Sequence, residues 1–469
     1  MNLAYDVEDR PKFGQTIIFA IQQLLAILAA TIAVPAIIGN GMSQSAALFG
    51  AGVGTIIYLL FTKFKSPVFL GSSFAFIGSM FAAFAGGVSM QLGYLGLIIG
   101  AIFAGLVYVV IAIIVKFAGV RWVNYLMPAV VIGPTVAIIG LSLAANAVSD
   151  AMGGVYDSDA GAYVMDTHAW MCFICAMVTL LVVCICSVFG KKMLKLIPFI
   201  IGIVAGYIVA LVLTLIGQGS GNEALQIIDF TKFQTMQWIP DFTFLTAIKG
   251  FDELSGTYIA TLAVAYVPVA FVVFAEHIAD HKNLSSIIGR ELLEKPGLHR
   301  TLLGDGVGSI VGAFFGGCPN TTYGESVGCV AITGNASVVT ILTTAIIAII
   351  ASFIGPFVTF LSTIPGCVMG GVCITLYGFI AVSGLKMLQP VDLNENRNLF
   401  TASTIFITGI GGMVIKIGQV TLTEVAVALI LGIIVNQILK DRKNKVDNTV
   451  IYDFEGKDYV DINKDKKDK

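Results

Sequence analysis

Apolar residues run in stretches of about twenty between residues 13 and 436, separated by short polar connections. A helix needs roughly that many to cross a hydrocarbon core of about 30 Å. The pattern predicts an all-α polytopic membrane protein with fourteen transmembrane segments, seven on either side of the polar stretch 217–250. An odd number of spans carries the chain across the bilayer, so the second seven start on the opposite side from the first. The two repeats are therefore expected to be inverted.

Within each half the third span is irregular. Residues 69–84 read FLGSSFAFIGSMFAAF, a short span with a Gly-Ser-Ser break near its start. Residues 312–334 read GAFFGGCPNTTYGESVGCVAITG, a polar break between two apolar arms. Each unpaired N–H or C=O facing lipid would cost several kcal/mol, so such backbone must be buried in protein or line a cavity. Interruptions at matching places in two halves point to an inverted-repeat transporter with its site near the midplane.

Composition strengthens the membrane assignment: 57% of the 469 residues are hydrophobic and 12% charged, against roughly 25% charged in soluble domains. The lipid bilayer is the expected surrounding. The net charge of −2 gives no indication of a nucleic-acid partner. No cleavable signal peptide is evident, and the first apolar run reads as a retained span. Lys63 and Lys65, then Lys116 and Arg121, then Lys191, Lys192 and Lys195 fall on one side, and the acidic loop 150–166 on the other. With the basic tail 440–469, this places both termini in the cytoplasm and the chain, multi-pass, in the cytoplasmic (inner) membrane. Lys232 and Lys249, in a long outer loop, run mildly against the rule. The eight cysteines lie in apolar surroundings and read as small buried hydrophobes. Cys172 and Cys175 form a CxxC, but within an apolar span and without a nearby His, Asp or second pair, so neither metal nor redox chemistry is expected. No metal or other cofactor is called for.

The strongest local signal is Glu276-His277-Ile278-Ala279-Asp280-His281, after a long apolar run ending at Ala275. Glu276 and Asp280 are four apart and share a helical face. The cluster would be unremarkable at a cytoplasmic helix end. Continuation of the helix through Leu284, Ile287 and Ile288 instead draws Glu276 toward mid-membrane, where an ionisable residue marks function. The second carboxylate is Glu325, inside the polar break and flanked by apolar sequence. A surface-loop acid is ordinarily just solvated, but these flanks favour a cavity-lining role. Tyr323 beside it could pack or offer a hydroxyl, and Gly316, Gly317 and Gly324 permit close backbone approach. Carboxylates accept hydrogen bonds, and broken-helix N-termini offer free N–H donors. Together they suit a planar, uncharged ligand with alternating N–H and C=O groups, such as uracil or xanthine. A carboxylate can also carry a proton, which supplies a coupling ion without a metal. His277 and His281 are four apart, but the HExxH motif is absent, and no nucleophile motif suggests an enzyme.

These residues resemble the nucleobase–ascorbate transporters, or nucleobase:cation symporter family 2, and within it the bacterial uracil permeases. The resemblance spans nearly the whole chain: GSSFAF at 71–76, AEH at 275–277, KPGLHR at 295–300, PNTTYGE at 319–325 and GGVCITLYG at 370–378. It implies an N-terminal cytoplasmic segment (1–12), core-domain segments 1–4 (13–119), gate-domain segments 5–7 (120–217), an inter-repeat loop (218–257), core segments 8–11 (258–353), gate segments 12–14 (354–439) and a cytoplasmic tail (440–469). It also implies short paired extended stretches in segments 3 and 10. By the same resemblance Glu276 and Glu325 bind the base edge, and the amides of Phe74 and Gly324 meet its carbonyls. Ser73 and Tyr323 line the site, and Ala30 leaves room for the base. Asp280, Glu325 and Tyr377 serve proton coupling. Three positions depart from the family pattern. Asp280 and Gln23 stand where histidines are expected, and Ser326 follows Glu325 where Asn is usual.

The function implied is proton-coupled uptake of uracil by alternating access. A xanthine or purine symporter is the alternative within the family, and an anion transporter of similar seven-plus-seven architecture a more distant one. Two glutamates at the site would repel an anion. A homodimer is left open.

Overall fold

The protein, described here from a computed structural model, is covered over residues 3–119, 121–191, 193–417 and 420–440. Lys192, residue 120 at the expected start of the gate, and the basic tail beyond Lys440 lie outside the described residues.

The first half runs through α1 (Phe13–Ile38), α2 (Gln44–Phe61), β1 (Leu70–Ser72), a 3-10 turn (Phe74–Phe76) leading into α3 (Ile77–Phe84), α4 (Met90–Ala118), α5 (Arg121–Leu126), α6 (Ala129–Ser142) and α7 (Ala144–Met152). A hairpin of β2 (Val155–Asp157) and β3 (Ala162–Val164) leads to α8 (Thr167–Phe189), α9 (Met193–Leu196) and α10 (Pro198–Ser220). The inter-repeat loop contains α11 (Thr243–Ala247) among 3-10 turns. The second half continues with α12 (Gly256–Ile288), α13 (Leu298–Gly316), β4 (Asn320–Thr322), α14 (Gly324–Thr333), α15 (Val338–Ser352), α16 (Gly355–Ser362), α17 (Gly366–Met387), α18 (Asn396–Ile410), the strands β5 (Ile415–Ile417) and β6 (Val420–Leu422), and α19 (Glu424–Ile438).

Among the described residues, eight helical spans are long and apolar enough to cross a bilayer, α6 and α7 together making one of them. α15 and α16 are apolar enough together for a further span, but they are bent by 83° at their joint. The others are shorter or more polar. α13 carries Asp305, fully buried between neighbouring helices. One expectation is corrected: the apolar arm 312–316 belongs to the end of α13, so the second break begins beyond that helix and its span consists of β4 and α14. Hydropathy cannot separate two helices when the joint itself is apolar.

The helices pack in two sets. In one, α13 lies against α2 and α4, α15 against α1 and α2, and α12 against α4. In the other, α17 lies on α6, α7 and α8, α10 on α8, and α18 on α6 and α19. Many contacts come in pairs that exchange when the halves are exchanged: α1 with α15 and α12 with α4, α1 with α14 and α12 with α3, α8 with α17 and α18 with α6.

Two further connections join distant parts of the chain. The N-terminal segment adds backbone bonds to the turn between α14 and α15, with Ala4 N–H donating to Gly334 O at 2.8 Å and Ala336 N–H to Tyr5 O at 2.9 Å. Arg290 fastens it further through Asp6 at 2.5 Å. In the inter-repeat loop, Lys232 donates to the Ser362 carbonyl at 2.5 Å, which occupies a cation that runs against the charge rule. Phe242 meets Phe49 and Phe315 edge-on at 4.9 and 5.6 Å.

Candidate functional site

The two breaks solve their backbone problem with each other. β1 pairs antiparallel with β4 in the register Leu70–Thr322, Gly71–Thr321 and Ser72–Asn320. The ladder is extended by Ser73 N–H to Pro319 O at 2.9 Å and Tyr323 N–H to Phe69 O at 3.3 Å. Backbone that would be costly in lipid is thereby paired inside the protein. The Tyr323 hydroxyl crosses back to donate to Ser72 O at 2.8 Å, which brings its ring against the neighbouring strand at Gly71. Gly71 makes this approach feasible, since a Cβ there would stand 2.3 Å from the Tyr323 ring.

A helix starts directly after each strand. Neither Ser73 nor Tyr323 caps the helix that follows it with its side chain. The first amides of α14 and of the Phe74 turn are left as donors, as at any uncapped helix start. Both starts border one cavity of about 340 Å³. Phe74, Tyr323, Gly324 and Glu325 reach it from the breaks, and Glu276 and Asp280 from α12. α12 continues to Ile288, so Glu276 sits well inside the helix rather than at its end. The Asp280 carboxylate accepts a hydrogen bond from Thr322 Oγ1 at 2.9 Å, linking α12 to β4. The opposite wall is apolar and comes from the other set of helices, with Val136 and Ile139 on α6, Phe199 on α10, and Phe379 and Met387 on α17.

Not all the expected site residues line this cavity. Ser73 and Ala30 are buried and are not among its lining residues. Tyr377 is also buried, with its ring edge-on to Phe74 at 5.9 Å. The two histidines of the α12 cluster face away into the core. His277 Nδ1 lies 2.7 Å from Asp305 and its Nε2 2.9 Å from Thr301 Oγ1. His281 Nε2 lies 2.6 Å from the Tyr58 hydroxyl, and its Nδ1 donates to His277 O at 2.8 Å. All four ring nitrogens are occupied by hydrogen bonds. Two of the departures from the family pattern touch each other: Gln23 Nε2 donates to Ser326 Oγ, which also accepts from Phe69 N–H at 3.0 Å.

Sequence reasoning missed Thr322, although it lies in the polar break, and it missed the α6 and α17 wall. Those helices are apolar on every side, so no periodicity marks the cavity-facing residues. The cysteine reading needs correction as well. His168, one helical turn before Cys172, brings Nε2 to 3.5 Å from its sulfur. The spacing of four was visible in the sequence. Cys184 is exposed rather than buried, and Cys186 is only half-buried.

Residues 14–418 match the Permease family. The chain is 41% identical over 449 residues to the uracil permease of Bacillus caldolyticus, covering 94% of this chain and 96% of that protein. It is 39% identical to the uracil permease of Bacillus subtilis (94% and 97% covered) and 34% identical to that of Escherichia coli K12 (98% and 99% covered). In fold it is similar to the transmembrane domain of a cyanobacterial bicarbonate transporter, BicA, with a TM-score of 0.63, 14% identity, and 92% and 99% of the two chains covered. It is also similar to the murine Solute Carrier 26 family member A9 anion transporter in its inward-facing state, with a TM-score of 0.62, 12% identity, and 92% and 69% covered. At such identities the likeness is one of fold alone.

Proposed function

The chain belongs to the permease family, a multi-pass membrane transporter and not an enzyme, and from that premise we propose that it takes up uracil across the cytoplasmic membrane in symport with protons. The observation that carries this reading is the convergence of Glu276, Glu325 and the open start of α14 on one cavity. The glutamates accept from the N–H groups of the base, the amides at Gly324 and Phe74 donate to its carbonyls, and the Phe74 ring packs on its face. The uracil permeases to which the chain is 34–41% identical support the choice of base.

The fold is read as fourteen segments in two inverted sevens, with α13 to α15 and α18 to α19 supplying the shorter members of the second seven. The core domain (13–119 and 258–353) contributes the polar side of the cavity, and the gate domain (120–217 and 354–439) its apolar wall. Sliding of the gate past the core exposes the site to each side in turn, as alternating access requires. Asp280 and Glu325 are the proton carriers in this scheme, with Tyr377 packed behind Phe74, and both termini face the cytoplasm.

Proteoliposomes carrying the purified protein and an inward proton gradient are expected to accumulate labelled uracil, with unlabelled uracil competing better than xanthine. Accumulation of xanthine with no response to uracil would overturn the choice of base. Uptake that ignores the proton gradient would overturn the coupling.

A further inference from the structure

Away from the substrate cavity, three cysteines and a histidine meet on the face of the molecule that carries the loop 150–166. Cys172 and Cys175 lie on α8, and Cys367 lies in the first turn of α17. Cys172 and Cys367 line the same cavity, one from each helix. One turn further along, Gly371 lets the two helices approach closely, since a Cβ there would stand 2.4 Å from the Ala176 carbonyl oxygen.

A buried cysteine is normally inert. Three features set this cluster apart. The first is a base. His168 Nδ1 lies 3.1 Å from the Ala224 carbonyl, which can only accept, so Nδ1 carries the ring proton. Nε2 is left bare, 3.5 Å from Cys172 Sγ, and oriented to take the thiol proton. The second is access. A cavity of about 400 Å³ is lined by His168, Cys172 and Cys367 together with Asp150, Asp229 and Lys232. The third is a second thiol on the same cavity, from a different helix.

We propose that Cys172 and Cys367 form a reactive dithiol, with His168 as its base, that exchanges with low-molecular-weight disulfides and closes into a Cys172–Cys367 disulfide joining α8 to α17. In the first step Nε2 of His168 takes the Cys172 proton, and the sulfur attacks a small disulfide RSSR. The S–S bond of the reagent breaks, a mixed disulfide forms on Cys172, and one RSH leaves. In the second step the Cys367 sulfur attacks Cys172 Sγ, loses its proton and releases the second RSH. Two protein thiols are oxidised and one small disulfide is reduced to two thiols. Cys175, fully buried beneath the pair, is not the primary target.

The test uses the full-length protein in proteoliposomes treated with oxidised glutathione, quenched with iodoacetamide and mapped as peptides without reduction. A peptide pair joined through Cys172 and Cys367, two hydrogens lighter than its parts and separated by dithiothreitol, is the expected result. The C367A variant is expected to stop at a glutathione adduct on Cys172. The H168N variant is expected to form the link about tenfold more slowly. Alkylation of Cys172 and Cys367 only after unfolding in detergent would overturn the proposal. So would a link formed between Cys172 and Cys175 instead, or an unchanged rate in H168N.

Discussion

The two breaks are alike in backbone and unlike in chemistry. Each is a three-residue strand followed at once by an uncapped helix start, and the strands pair with one another across the junction of the halves. The first break places an aromatic ring at the cavity through Phe74, and the second places a carboxylate there through Glu325. Symmetry supplies the scaffold and the paired amides. On the proposed reading the difference in side chains supplies selection, because a site with the same group on both arms would present either two rings or two charges to the ligand.

This contrast orders the experiments. Replacing Glu325 by Ala removes hydrogen bonds to a charged acceptor and is expected to cut uracil uptake by at least about a hundredfold. Phe74→Ala is expected to leave measurable uptake with an apparent affinity weaker by roughly tenfold. Equal losses in the two variants, measured as initial rates in proteoliposomes, would show that the arms contribute alike. Gly71→Ala probes the shared scaffold instead. The added Cβ must displace the Tyr323 ring, at a cost of about 1–3 kcal/mol, and monodispersity by size-exclusion chromatography should fall with uptake. Asp280→Asn keeps an acceptor for Thr322 but cannot carry a proton. Gradient-driven accumulation is expected to drop about tenfold while uracil exchange changes less, and equal losses in both would remove Asp280 from coupling. The smallest effect is expected for Tyr323→Phe, which loses the bond to Ser72 O at about 1 kcal/mol. It should lower the melting temperature by roughly 1–2 °C and leave uptake near normal.

Much of this arrangement was readable in the sequence, for uneven reasons. The apolar runs, the breaks and the α12 carboxylates announce themselves, since lipid tolerates neither open backbone nor stray charge. The pairing of residues 70–72 with 320–322 has no local signal, because three-residue strands carry no period to detect. It was available only through resemblance. The start of the second broken span was misplaced because GAFFGG reads as an apolar arm on either side of a helix end. The apolar wall of the cavity stayed hidden for a related reason: Val136, Ile139 and Phe379 differ from their apolar neighbours on the same helices only in what they face. His168 beside Cys172 is different again, a spacing of four that was in plain view and went unassigned.

The β1–β4 ladder also sets an order of events during synthesis. Residues 70–72 leave the ribosome long before their partners at 320–322. At translation rates of about 5–20 residues per second, the interval is roughly ten to fifty seconds. The N-terminal segment of residues 4–7 waits about a third longer for the turn at 334–338, since its partners lie about 330 residues on. Throughout that time the first half holds open backbone at membrane depth, which water or the insertion machinery must satisfy. The half-chain 1–217 is thus an unfinished object rather than a small transporter, and the second half completes its folding as well as its site.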